Sequence, residues 1–158
     1  MPKRKNQKHR RSMQHHRQHR KRLQPKTDNQ ADYIRCMVES DVTFCSGPAG
    51  SGKTAVAVGL GCGYFLEKKI TKIIITRPVV EAGRGLGFLP GSLTDKIQPY
   101  LVPVVEEMKL YLGPETYHSG RATNEIEICP LEYMRGRNFH DTFMILDLSL
   151  IHISEPTR

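Results

Sequence analysis

Eight consecutive residues of this chain have the types and spacing to hold a polyphosphate. Gly47-Pro48-Ala49-Gly50-Ser51-Gly52-Lys53-Thr54 fits the pattern G-x-x-x-x-G-K-[ST] in full. A polyphosphate carries several negative charges and must be met by many donors at short range. Glycines lack the β-carbons that would keep main-chain N–H groups away, so the loop can close as a concave nest of amides. A helix starting there adds its unpaired N–H groups and its positive dipole end. Lys53 is expected to reach the outer phosphates, and Thr54 to place its hydroxyl on Mg²⁺. Far along the chain, Thr142-Phe143-Met144-Ile145-Leu146 reads as a buried strand that ends in Asp147. An acid there suits a Mg²⁺-bound water across from the Thr54 hydroxyl. Taken singly, each feature has a plain rival: a glycine-rich turn, or an ordinary strand-end acid. Their pairing points to nucleotide phosphate binding.

The flanking pattern supplies elements to position these residues. Val42-Thr43-Phe44-Cys45 is apolar and predicts a strand entering the loop. Ala55 to Leu66 is apolar on all sides, as in a helix buried against a sheet. Lys68 and Lys69 suit that helix's C-terminal end. Lys72-Ile73-Ile74-Ile75-Thr76 predicts a strand buried on both faces, as in a parallel sheet. Strand, helix and strand at this spacing form a βαβ unit, so the fold class is α/β. Before the loop, Tyr33, Ile34, Met37 and Val38 recur at helical spacing up to about Ser40, with Asp28 or Asn29 as the cap. Gln30 stands at that helix start. Its amide can donate and accept at once, as reading an adenine edge requires, or it is simply a polar first-turn residue.

Arg77 to Ser92 forms a loop of sixteen residues at the carboxyl end of the second strand, the edge where open α/β sheets bind ligands. Arg77 and Arg84 are candidates for phosphate or nucleic-acid contact, against a rival reading as solvated surface charge. A further helix, capped by Ser92 or Thr94, is expected through Leu112, with Pro99 and Pro103 at starts or bends. Glu125-Ile126-Glu127-Ile128-Cys129 alternates like a strand that Pro130 ends, and Arg135 and Arg137 follow it.

Charge divides the chain sharply. The formal net charge is +8, but residues 1–27 hold 11 of the 24 Lys and Arg and none of the 16 Asp and Glu. The remainder, with 13 basic and 16 acidic residues, has a net charge of −3. Residues 1–26 carry almost no apolar side chains, so the tail is expected to be disordered alone. Its cations, including Lys3, Arg4, Lys5, Arg10, Arg11, Arg20, Lys21 and Arg22, suit RNA or another single-stranded nucleic acid. A solubilising tail or a targeting signal is the rival reading. No run is long and apolar enough for a membrane span, and no apolar segment follows the first basic residues as in a secretory signal. Cys36, Cys45, Cys62 and Cys129 show no CxxC spacing. Packed thiols in a reduced, cytoplasmic protein fit better than a disulfide framework or a zinc site.

From about Asn29 to Asp147 the chain resembles the PhoH-like family of ATP-binding proteins. The resemblance is carried by FCSGPAGSGKT, by KIIITRPVVEAGRGLGFLPGSLTDKIQPYL and by IEICPLEYMRGRNFHDTFMILD. It implies a RecA-like P-loop NTPase core with a mainly parallel sheet flanked by helices. It implies ATP and Mg²⁺ as ligands, with Thr54 and Asp147 toward the metal, RNA as the partner, and Mg²⁺-dependent ATP hydrolysis. It also favours Gln30 as an adenine-reading residue.

The resemblance stops after Asp147. The family continues there with Glu, Ala and Gln, the Glu serving as the base for water. This chain instead reads Leu148-Ser149-Leu150-Ile151-His152-Ile153-Ser154-Glu155-Pro156-Thr157-Arg158, which looks like a translated sequencing adaptor. The expected organisation is therefore a basic tail over 1–27, a partial P-loop NTPase domain over 28–147, and a non-native tail over 148–158. A chain without that Glu is expected to bind Mg-ATP with little turnover, so an ATP-sensing, nucleic-acid-binding module is the alternative to an ATPase. Homo-oligomerisation is left open.

Overall fold

The computed structural model describes residues 20–78 and 93–148, with the backbone alone for residues 93–100. Among the described residues three strands form one parallel sheet in the order β2-β1-β3. They are β1 (Lys72–Arg77), β2 (Ile126–Pro130) and β3 (Thr142–Leu146). Among the described residues four helices accompany them: α1 (Asp28–Glu39), α2 (Lys53–Leu66), α3 (Leu93–Leu112) and α4 (Pro114–Ala122), with a short 3-10 turn over Leu131–Met134. The α/β class read from the sequence is the one observed.

The register explains why β1 is the central strand. Ile73 stands beside Ile126 and Phe143, and Ile75 beside Ile128 and Ile145. That row faces Val58 and Cys62 of α2 and Leu101, Val104, Met108 and Leu112 of α3, all in one buried cluster. Paired on both edges and covered by helices, β1 needs apolar side chains at nearly every position, and its Ile-Ile-Ile run supplies them.

Four expectations need correction. Val42–Cys45 forms no strand: among the described residues it has no ladder partner, and Val42 and Phe44 are 71% and 94% exposed. An apolar alternating run becomes a strand only when another backbone accepts and donates its hydrogen bonds. The cap of α1 is Thr27, not Asp28 or Asn29. Its extended backbone lets its hydroxyl accept from the Gln30 N–H at 3.2 Å. Pro99 and Pro103 lie inside α3, which runs unbroken past both. Burial of Leu101, Val104, Met108, Tyr111 and Leu112, at about 1.5–3 kcal/mol each, outweighs about 3 kcal/mol per interior proline. Finally, residues 20–26 do not stand apart as a disordered tail. The Lys21 N–H donates to the Leu110 carbonyl at 2.9 Å, Arg20 donates to the Thr116 hydroxyl, and Leu23 packs on the core. The tail cations Lys3, Arg4, Lys5, Arg10 and Arg11 lie outside the described residues, as do Arg84 and residues 149–158.

On the sheet face opposite the main cluster, Arg137 grips Glu127 with two hydrogen bonds of 2.6 and 2.7 Å. The Lys72 ammonium is 2.9 Å from the same carboxylate. These donors, led by Arg137, hold the Glu127 carboxyl down to about 2. A carboxyl depressed in the folded state stabilises the fold above its unfolded pKa, and that contribution is lost as pH falls toward the folded value. The melting midpoint is therefore expected to drop between about pH 5 and pH 2, by an amount equivalent to about 1–2 kcal/mol after solvent screening. Glu127→Gln should flatten that part of a thermal-melt pH profile. Arg137, one of the two arginines read beyond the strand, is thus committed to the sheet.

Candidate nucleotide site

The glycine loop and the carboxyl end of the sheet meet at one place. The loop turns through left-handed backbone at Gly50 (φ 75°) and Gly52 (φ 85°), conformations that a β-carbon disfavours. At Gly52 a β-carbon would also sit 2.9 Å from Nε2 of Gln30, so that side chain would have to move off the loop. The Val56 N–H donates to the Gly52 carbonyl at 2.9 Å, so α2 begins directly at the loop and leaves its first-turn amides facing out of the helix end. Lys53 folds back over the loop: Nζ donates to the carbonyls of Gly47 and Pro48, both at 2.8 Å, and to Ser51 Oγ at 3.3 Å. The ammonium therefore already stands over the loop where phosphate oxygens would replace these acceptors.

Asp147 follows directly on β3. Its N–H donates to the Thr76 carbonyl at 2.9 Å, which ties it to the end of β1. That tie brings Oδ2 to 3.5 Å from Oγ1 of Thr54, a residue 93 positions earlier. Asp147 is 8% exposed, and the guanidinium of Arg77, 6% exposed, stands 3.9 Å away. Arg77 is thus not solvated surface charge. It is the last residue of β1, turned into the site. A cavity of about 330 Å³ opens beside this group, lined by Thr54, Arg77, Glu107 and Asp147 among others.

A hydroxyl and a carboxylate converging on open space are hard oxygen donors of the kind Mg²⁺ takes, along with water and phosphate oxygens. The residues present fit that ion as part of a phosphate complex. Among the described residues no cluster of three or more His, Cys, Asp or Glu forms a metal cage, and such a cage is not what Mg²⁺ with a nucleotide requires.

Gln30 is brought against the loop with both ends of its amide engaged. Nε2 donates to the Ser51 carbonyl at 3.0 Å, and Oε1 accepts from the Lys26 N–H at 2.8 Å. Glu107 was not legible as a site residue. On sequence it is one of three acids on α3, with Asp95 and Glu106, and only the packing of α3 on α2 turns it toward Thr54. No sequence signal separates it from Glu106, which pairs at the surface with Lys109.

A glycine nest at a helix start, facing a strand-end carboxylate across a parallel sheet edge, defines the class of phosphate-loop nucleotide-binding proteins. Comparison with known families and proteins narrows this. The family described as PhoH-like protein matches residues 22–149. A PhoH-like protein of Bacillus subtilis is 44% identical over 127 residues, covering 80% of this chain and 40% of the relative. One from Mycobacterium bovis is 43% identical over 127 residues, covering 80% and 36%. Protein PhoH of Escherichia coli is 35% identical over 124 residues, covering 77% and 35%. The chain belongs to the PhoH-like family, a nucleotide-binding P-loop family. It spans between about a third and two fifths of the length of these relatives. Among the described residues no helix is long and apolar enough to cross a membrane.

Proposed function

We propose that this chain is the ATP-binding portion of an ATPase that works on RNA or another nucleic acid in the cytoplasm. The reading is carried by the approach of Asp147 to Thr54 beside the glycine loop. Gly47 to Thr54 would wrap the phosphates, Lys53 would neutralise the outer ones, and Gln30 would meet the adenine. Mg²⁺, held through Thr54 and Asp147, would offset charge on the terminal phosphates. Hydrolysis and its coupling to nucleic acid belong to the whole protein. A second reading, an ATP-sensing module without turnover, concerns the chain as it stands: Leu148, and no acid, follows Asp147, but residue 148 belongs to the segment read as non-native.

Calorimetry with ATP in the presence and absence of Mg²⁺ tests the binding step. Asp147→Asn is expected to lower the magnesium-dependent gain in affinity about tenfold, as loss of one charge-assisted contact would. ATP binding without the metal should persist. An unchanged magnesium dependence would remove Asp147 from the site. On the full-length protein, phosphate release stimulated by single-stranded RNA supports the ATPase, and binding without release supports the sensor.

A further inference from the structure

A second cleft, of about 410 Å³, lies against the C-terminal half of α2, away from the glycine loop. We propose that it is a docking site for single-stranded nucleic acid, taking one base against Tyr64 and the neighbouring phosphates on Lys21, Arg22 and Lys69. The inference rests on the proposal that nucleic acid is the partner, and it gives that partner a place on the folded body.

Size comes first. The cleft is larger than the cavity beside Thr54 and falls within the range of small-ligand pockets, about 300–1,000 Å³. Its floor is open at Gly63, where an added β-carbon would meet nothing within 4 Å. A glycine in a helix interior costs stability relative to alanine. At Gly59 the reason is packing, since a β-carbon would strike Tyr111 and Leu23. At Gly63 the described residues give no packing reason, and what the missing side chain leaves is room in the cleft.

The lining has the chemistry of a nucleotide strand. Tyr64 is half-buried, braced edge-on by Phe143 with centroids 6.1 Å apart, and it offers an aromatic face at the cleft. Lys69 already stands over that ring, 5.2 Å from its centroid. The end of α2 holds it there: the Lys69 N–H donates to the Tyr64 carbonyl and the Lys68 N–H to the Phe65 carbonyl, closing the helix in a Schellman turn. A base stacked on Tyr64 would replace the ammonium and leave it beside the phosphate. Base stacking on aromatic side chains, with cations along the backbone, is how single strands are held without regard to sequence.

The charges agree in sign. Lys21, Arg22 and Lys69 line the cleft against one carboxylate, Glu67. Glu67 pairs with Lys69 at 2.7 Å, and Glu107 pairs with Lys21 from the neighbouring cavity. The Lys69–Glu67 pair is open to water, where phosphate competes readily, and the Lys21 side chain is itself exposed although its partner Glu107 is half-buried. Arg22 makes no ion pair among the described residues. The sequence immediately before this segment, residues 1–19, supplies a further seven Lys and Arg. Lys21 also links the two clefts, because its partner Glu107 lines the cavity beside Thr54.

Gly63→Leu fills the cleft, gains helix propensity and lies two and a half turns from the glycine loop. Anisotropy with labelled twelve-residue oligouridine and oligothymidine, on the full chain at fixed salt, reads the result. Gly63→Leu and Arg22→Glu are each expected to weaken binding at least tenfold, with the melting midpoint and Mg-ATP affinity as in the original protein. Oligonucleotide binding by a folded Gly63→Leu at original strength overturns the docking site while leaving the basic segment as a nucleic-acid contact. Should Gly63→Leu fail to fold, undiminished binding by Arg22→Glu overturns it instead. Failure of the unaltered protein to bind either oligonucleotide overturns both this site and the nucleic-acid reading beneath it.

Discussion

Lys53→Ala is expected to weaken Mg-ATP binding about ten- to a hundredfold, with little change in melting temperature. The two halves of that expectation have separate causes. Lys53 spends its three donors within the loop, on the carbonyls of Gly47 and Pro48 and the hydroxyl of Ser51. These acceptors are open to water, so removing the ammonium leaves none of them stranded, and exposed contacts of this sort add little to stability. With a triphosphate present the balance differs. The ammonium would then face phosphate oxygens inside a nest of amides, where a charge-assisted hydrogen bond is worth about 1.5–3 kcal/mol. That is the stated factor in affinity. Calorimetric titration with Mg-ATP measures it directly. An affinity within twofold of the original would mean that the loop holds nucleotide through its amides alone.

What was legible in the sequence is what is local or continuous. The glycine loop is a contiguous string, and its backbone demands at Gly50 and Gly52 are met by residue type alone. The run from Ala55 to Leu66 is apolar all round, and Val56 to Cys62 are indeed buried. Asp147 was legible from its place after a buried strand, even across 93 positions, because a phosphate-loop site needs an acid there.

The misses share a different cause: the deciding partner lies elsewhere in the chain. Val42–Cys45 has the pattern of a strand but no neighbouring backbone among the described residues. Pro99 and Pro103 look like helix starts or bends until the burial of α3 is known. For Arg77 a phosphate contact and solvated surface charge both stayed open on sequence, because its burial depends on Asp147, just past the end of β3, standing beside it. One miss was avoidable. Gly113, at φ 82°, precedes Pro114 at the first position of α4, with Glu115 in the first turn and Arg121 in the last. Proline just inside a helix start, with that charge order, is a sequence-level signal.

Ile75→Ala is expected to cost about 3 kcal/mol of stability, within the 2–5 kcal/mol seen when a buried Ile is truncated. Ile75 is fully buried in the central strand, between Ile128 and Ile145 in register, and the helices above it leave no slack to fill the gap. For a domain of this size that loss lowers the melting midpoint by about 10 °C. It is a large part of a total stability of about 5–15 kcal/mol. The same strand ends in Arg77, and its Thr76 carbonyl anchors Asp147, so fold and site share one support. Linkage separates the two roles. Saturating Mg-ATP at a hundred times its dissociation constant adds about 2.7 kcal/mol to any variant whose site is intact. Ile75→Ala should therefore melt lower but recover the same ligand-induced rise as the original protein. Lys53→Ala should melt normally without ligand and keep only about 0.4–1.4 kcal/mol of that rise at the same ligand concentration, as its ten- to hundredfold weaker affinity requires. If Ile75→Ala loses the rise as well, the geometry at Thr54 and Asp147 depends on the packing of β1 more tightly than their hydrogen bonds alone require.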